Sequence, residues 1–175
     1  MRTLVLGGAR SGKSAHAEGL VPDDAAGVTY VATARPFPGD RDFSARIREH
    51  VERRPAHWRT VDTVDAVDVL TDPPPGWIIV DDVGTWLTHT IDAADAWEAP
   101  RGTVSPRCRD LVSAVDRLPD GSDLVLVSPE VGMGVIPEHR SARLFRDEIG
   151  KLNGELARVC DRTVLVVAGI PLVLG

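Results

Sequence analysis

Residues 7–14 read GGARSGKS and satisfy the pattern G-x-x-x-x-G-K-[ST] at every required position. They follow the apolar run Thr3-Leu4-Val5-Leu6, where a first buried strand should end. Gly7 and Gly12 let the backbone turn successive N–H groups onto phosphate oxygens. The whole run Gly7, Gly8, Ala9, Arg10, Ser11, Gly12, Lys13 and Ser14 is therefore a candidate cradle for a triphosphate. Lys13 brings positive charge to the β- and γ-phosphates, and the Ser14 hydroxyl can ligate Mg²⁺. A helix opening at Lys13 turns its positive end toward the anion. ATP or GTP is the expected ligand.

Three further places could do chemistry. Trp77-Ile78-Ile79-Val80 ends in Asp81 and Asp82. An apolar strand closing on aspartate is the usual second half of a phosphate-loop site, so Asp81 is the candidate Mg²⁺ ligand. Asp82 could instead face a substrate hydroxyl as a base, and a solvated turn is the plain alternative for both. In DRDFSARIREHVERR, Phe43, Ile47 and Val51 recur at i, i+4 and i+8 and form a helical packing stripe. His50 flanks that stripe near Arg46 and Arg53. An imidazole beside two guanidiniums has a depressed pKa and stays nucleophilic, while the arginines can neutralise phosphate oxygens. Spacing alone does not separate such a nucleophile from an ordinary surface or packing histidine. Finally, Glu130 closely follows Leu124–Val127, Gly132 and Gly134 let the backbone approach a ligand, and Arg140, Arg143 and Arg146 can reach phosphates. A flexible loop capped by a solvated basic helix is the alternative there.

The elements that must position these groups alternate along 175 residues, a length that fits one domain over residues 1–175. Uniformly apolar runs at Thr3–Leu6, Val28–Ala32, Trp77–Val80, Leu124–Val127 and Thr163–Val167 predict parallel strands buried on both faces. Helices are expected over Lys13–Leu20, Asp42–Arg54, Val64–Leu70, Thr85–Ala96, Pro106–Leu118 and Ser141–Cys160. The alternation gives an α/β fold, an open sheet with helices on both faces and ligands at the carboxyl ends of the strands. Pro73-Pro74-Pro75-Gly76 reads as a rigid turn, and Asp92–Pro106 as a mobile surface loop.

A net charge of −6 argues against a broad nucleic-acid surface. Lysine occurs only at Lys13 and Lys151, which makes the one inside the loop harder to dismiss. Cys108 and Cys160 lack metal-ligand spacing and read as free thiols. The chain start lacks a signal peptide's pattern, and VLVVAGIPLVLG is too short and too broken to span a bilayer. A soluble, cytoplasmic protein with no membrane span is expected.

The chain resembles the bifunctional adenosylcobinamide kinase / adenosylcobinamide-phosphate guanylyltransferase family of cobalamin biosynthesis. The similarity runs through GGARSGKS with HAE, YVATA, RIREH with RRPAHWRT, VDD with TWL, EVGMGVIP, R-x-F-R-D-x-x-G-x-x-N and VVAGIP. EVGMGVIP followed by RLFRD is far more specific than the phosphate loop. The resemblance implies a P-loop NTPase fold, a recombinase-like and mostly parallel sheet with one antiparallel strand, assembled as a homotrimer. It implies two reactions on adenosylcobinamide and its phosphate: γ-phosphoryl transfer to the aminopropanol hydroxyl, then GMP transfer from GTP through a histidine phosphoramidate. That histidine sits in the RI-x-x-H pattern, here His50. Lys13 and Asp82 join it as catalytic candidates, while Thr33, Arg46, Arg53, Asp62 and Glu130 join the nucleotide set. The chain departs from the family pattern in several places. D-C-L-T-L-W-L reads Asp81-Asp82-Val83-Gly84-Thr85-Trp86-Leu87, Pro129 replaces the usual Asn, and W-x-T-x-E ends in Asp62. A different small-molecule kinase, or a noncatalytic nucleotide-dependent switch, are the competing readings.

Overall fold

The computed structural model of the chain describes residues 1–34, 51 and 54–175. The helix expected over Asp42–Arg54 therefore lies outside the described residues apart from Val51 and Arg54, and so do Arg46, His50 and Arg53.

Among the described residues, β1 (Arg2–Gly7) leads into α1 (Lys13–Glu18), followed by β2 (Val28–Ala32) and β3 (Arg59–Val61). Then come α2 (Ala66–Thr71), β4 (Trp77–Asp81), α3 (Val83–Ala93), α4 (Ser105–Asp116), β5 (Asp123–Pro129), α5 (Arg140–Val159), β6 (Arg162–Val167) and β7 (Ile170–Val173). The strands form one sheet in the order β3-β2-β4-β5-β1-β6-β7. Every pairing is parallel except β6 with β7. The five strands expected from the sequence are present, with ends that differ by at most two residues.

The uniform apolarity of the central strands follows from helices packing on both faces. Side chains alternate across a strand, so Ile78 and Val80 join one core with Leu4, Leu126, Leu87 and Leu152. Ile79, between them, joins the other core with Val5, Val125, Val127 and Ala17 of α1. A strand with one wet face would have needed polar residues at every second position.

Two strands were not located by the apolar pattern, although the resemblance implied one antiparallel strand, which β7 supplies. β3 is three residues long and mostly exposed, too short to show a period. β7 lies inside the apolar run read as one C-terminal segment; Ala168 and Gly169, at φ 52° and 79°, reverse the chain in two residues and create the antiparallel edge. Its Pro171 is tolerated because, among the described residues, β7 pairs on one side only.

Asp92–Pro106 is not the simple surface loop expected. Asp92 and Ala93 end α3, Ser105 and Pro106 begin α4, and Ala96 and Val104 between them are buried. The turn is tied to α5: Arg140 donates to the carbonyls of Trp97 and Ala99 at 2.6 and 2.8 Å, and Gly102 N–H donates to buried Glu148 at 2.6 Å.

The proline-rich turn is as rigid as its composition suggests. Gly76 sits at φ 95°, and a Cβ there would run into the carbonyl of Gly27, which also accepts from Trp77 N–H at 2.9 Å. Gly76→Ala is expected to destabilise the fold by about 1–3 kcal/mol, the usual cost of a strained backbone position. Urea denaturation measures it, and an unchanged midpoint would show that the turn relaxes freely.

Candidate active site

β1, β2, β4 and β5 run parallel, so their carboxyl ends, and the loops that carry the candidate residues, gather at one edge. The loop after β1 is held from both sides. Gly7 accepts from Glu130 N–H at 3.0 Å, and Ser11 accepts from Gly169 N–H at 2.8 Å. Gly12, at φ 91°, begins α1, and a Cβ on it would lie 3.3 Å from Gly169 Cα. The turn between β6 and β7 thus presses directly on the loop. Ser11 Oγ is buried without a hydrogen-bond partner among the described residues. Lys13 Nζ lies back across the loop, 3.4 Å from the carbonyl of Gly8.

Asp81 ends β4 in a buried position. Its Oδ1 accepts from Ser14 Oγ at 3.3 Å, and its Oδ2 accepts a short bond from the Tyr30 hydroxyl. Tyr30 is fully buried, and that burial, reinforced by the Asp81 charge, pushes its pKa far up and keeps the phenol a donor. The Arg54 guanidinium covers the Tyr30 ring at 3.7 Å from its centroid, and Trp58 stacks on it at 6.2 Å. Sequence reasoning missed Tyr30. The available signal was the chain's single tyrosine, set among Val28, Thr29, Val31 and Ala32 in a run read as a buried strand.

Asp82 caps α3. Its Oδ1 accepts from Thr85 N–H at 2.7 Å and from Thr85 Oγ1 at 2.6 Å. Thr33 grips the same residue's backbone: its Oγ1 accepts from Asp82 N–H at 2.8 Å and donates to the Asp82 carbonyl at 2.7 Å. Burial raises the Asp82 pKa, and repulsion from Asp81 adds to it; the Thr85 bonds and Lys13 oppose both. A carboxylate whose pKa is raised is a stronger base than an ordinary one, which suits it to take a proton from a substrate hydroxyl.

The geometry brings Gly7–Ser14, Thr33, Asp81, Asp82 and Glu130 to one edge. Glu130 Oε1 accepts from Gly132 N–H at 2.5 Å. Asp62, exposed beyond β3, is not brought to the loop. β2, β4 and β5 separate β3 from β1, roughly 19 Å at ordinary strand spacing. The arginines expected to reach phosphates are engaged elsewhere. Arg146 donates to the carbonyls of Val135 and Gly132, each at 3.0 Å, and Arg143 to that of Pro137 at 3.0 Å. A segment rich in Gly and Pro leaves carbonyls that its own backbone cannot satisfy, and the arginines of α5 satisfy them. Two departures from the family pattern touch each other: a Cβ on Gly84 would lie 2.6 Å from Pro129 Cγ, so the small residue makes room for the ring.

A family model described as cobinamide kinase / cobinamide phosphate guanyltransferase matches residues 3–174. The chain is 40% identical over 181 residues to the bifunctional adenosylcobalamin biosynthesis protein CobU of Salmonella typhimurium, covering 97% of each. It is 38% identical over 177 residues to the bifunctional adenosylcobalamin biosynthesis protein CobP of Pseudomonas aeruginosa, covering 99% of this chain and 97% of that one. Among solved structures, an ATPase from the type III secretion system of pathogenic bacteria superposes with a TM-score of 0.58 at 10% identity. That match covers 94% of this chain and 50% of the ATPase, and it shows the P-loop NTPase fold alone.

The raised Asp82 pKa carries a prediction. Below the ordinary value of 3.8 both folded and unfolded chains hold the proton, so no penalty exists. The penalty grows as pH rises and is complete above the raised folded value. Asp82→Asn keeps an N-cap acceptor and removes the charge, so its stability relative to wild type should be higher at pH 7 than at pH 4. Urea melts at both pH values check this. A variant that loses ground as pH rises would mean the charge is stabilising.

Proposed function

The chain belongs to the cobinamide kinase / cobinamide phosphate guanyltransferase family, and we propose that it carries out both family reactions through the edge described above. The observation that carries this reading is Ser14 Oγ facing Asp81 Oδ1 at 3.3 Å beneath a complete phosphate loop, in a chain matched from residue 3 to residue 174. Substrates are ATP or GTP and adenosylcobinamide with its phosphate.

In the first reaction, the aminopropanol hydroxyl attacks the γ-phosphorus. A new O–P bond forms, the nucleoside diphosphate leaves, and the hydroxyl proton passes to Asp82. The N–H groups of Gly7 to Ser14 hold the phosphates, and Lys13 offsets charge on the transferring group. Ser14 and Asp81 would hold Mg²⁺, since a hydroxyl and a carboxylate facing each other are the hard oxygen donors it takes. The cation, when bound, draws charge from the phosphate oxygens. Thr33 acts through Asp82, whose backbone it fixes, and Glu130 borders the loop at Gly7.

In the second reaction, a neutral His50 nitrogen attacks the α-phosphorus of GTP, forming an N–P bond as pyrophosphate leaves. An oxygen of the cobinamide phosphate then displaces the imidazole and takes the GMP. Arg46 and Arg53 neutralise phosphate oxygens, and Asp62 contacts the nucleotide away from the phosphate loop. Assembly is as a homotrimer. Exposed apolar side chains at Ile170, Leu172, Val173 and Leu174 support this, because water-facing surface of that kind favours a covering subunit.

His50→Asn is expected to abolish guanylyl transfer while largely sparing phosphorylation, which needs no covalent intermediate. Incubation with α-labelled GTP should give an acid-labile, base-stable adduct. Peptide mass spectrometry should place it at His50 rather than at His16, His57, His89 or His139. A label on one of those four, or transfer surviving in His50→Asn, would overturn the assignment.

A further inference from the structure

A cavity of about 500 Å³ opens at the same edge of the sheet, away from the phosphate loop. It lies where the segment after β3 meets the end of α3 and the start of α4, and no group assigned above to nucleotide lines it. One residue of its wall reaches the transfer site. His89, in that wall, has Nε2 at 3.2 Å from the Thr33 carbonyl, and Thr33 holds the backbone of Asp82.

The cavity's polar groups have a consistent chemistry. A carbonyl only accepts, so His89 donates at Nε2, and in the neutral ring Nδ1 is left an acceptor. Thr90 spends its hydroxyl proton on the Trp86 carbonyl at 2.9 Å, and Thr103 spends its own on that of Pro100 at 2.8 Å. Both oxygens keep lone pairs. The Arg107 guanidinium is paired with Asp65 at 3.0 Å and also faces Asp110 at 3.7 Å. The remaining wall is apolar, from Ala93, Ala94, Val104 and Pro106. Such a lining disfavours a phosphate, whose oxygens would find acceptors and a guanidinium already occupied. It suits an uncharged, largely apolar molecule that carries N–H donors.

Cobinamide has that character along its rim, where methyl groups alternate with primary carboxamides. We propose that this cavity seats one carboxamide-bearing edge of the corrin ring and directs the aminopropanol arm along the His89–Thr33 wall toward Asp82. The inference rests on the family activity stated above. A volume of about 500 Å³ holds an edge of the macrocycle and leaves the rest on the surface.

Ala93 is exposed at the last position of α3, so Ala93→Phe narrows the cavity without touching the core. The variant should raise KM for cobinamide roughly tenfold or more, with nucleotide KM and kcat unchanged. Thr90→Val, which removes one acceptor at constant shape, should raise it by a smaller factor. Equilibrium dialysis of cobinamide alone should show the same order of weakening. Unchanged cobinamide affinity in a folded Ala93→Phe protein overturns the proposal, and so does an equal loss of nucleotide affinity. A shift in sedimentation with cobinamide affinity intact makes the face a subunit contact and overturns it as well. Wild-type protein that neither binds nor phosphorylates cobinamide overturns the family reading itself, an outcome distinct from the other three.

Discussion

Two consecutive carboxylates, Asp81 and Asp82, stand where a strand buried on both faces reaches the edge of the sheet, and much of the surrounding structure compensates them. Burial and mutual repulsion oppose ionising both. Asp81 is met by two hydroxyls, those of Ser14 and Tyr30. Asp82 is met by the first turn of α3 through Thr85, and Lys13 lies close enough to lower its pKa. These contacts hold the pair in place without cancelling its charge. A cation arriving with a triphosphate is the natural complement, and the phosphate loop lies directly beside it.

The sheet order explains how so few residues assemble this edge. β1 and β4 are separated by β5 alone, so Ser14, at the start of α1, can reach the end of β4. β2 flanks β4 on its other side, which brings Tyr30 and Thr33 onto the same carboxylates. Arg54, covering the Tyr30 ring, joins this chain of contacts. The antiparallel β7 serves the loop too, since the two-residue turn before it presses Gly169 against Gly12.

What was legible in the sequence was whatever local pattern determines. Buried parallel strands leave unbroken apolar runs, and the phosphate loop needs a fixed spacing of Gly, Lys and Ser. What was not legible depends on contacts between distant segments. β3 owes its existence to pairing with β2, not to its own Arg59-Thr60-Val61. Arg140, Arg143 and Arg146 look like phosphate ligands in isolation, but the carbonyls of the neighbouring Gly- and Pro-rich turn claim two of them, and those of Trp97 and Ala99 the third. Asp62 holds a motif position, but only the sheet order shows that three strands lie between β3, which it follows, and β1. Tyr30 was read as one more apolar residue, although a buried phenol needs an acceptor, and Asp81 is the one it finds.

The most direct measurement of the whole account is the mass of the corrinoid after incubation with the protein, Mg²⁺, ATP and GTP. Cobinamide is expected to gain first a phosphoryl group and then a guanylyl group, and Lys13→Ala to yield neither product. A corrinoid of unchanged mass while wild-type protein hydrolyses the nucleotide, or full conversion by Lys13→Ala, would contradict it.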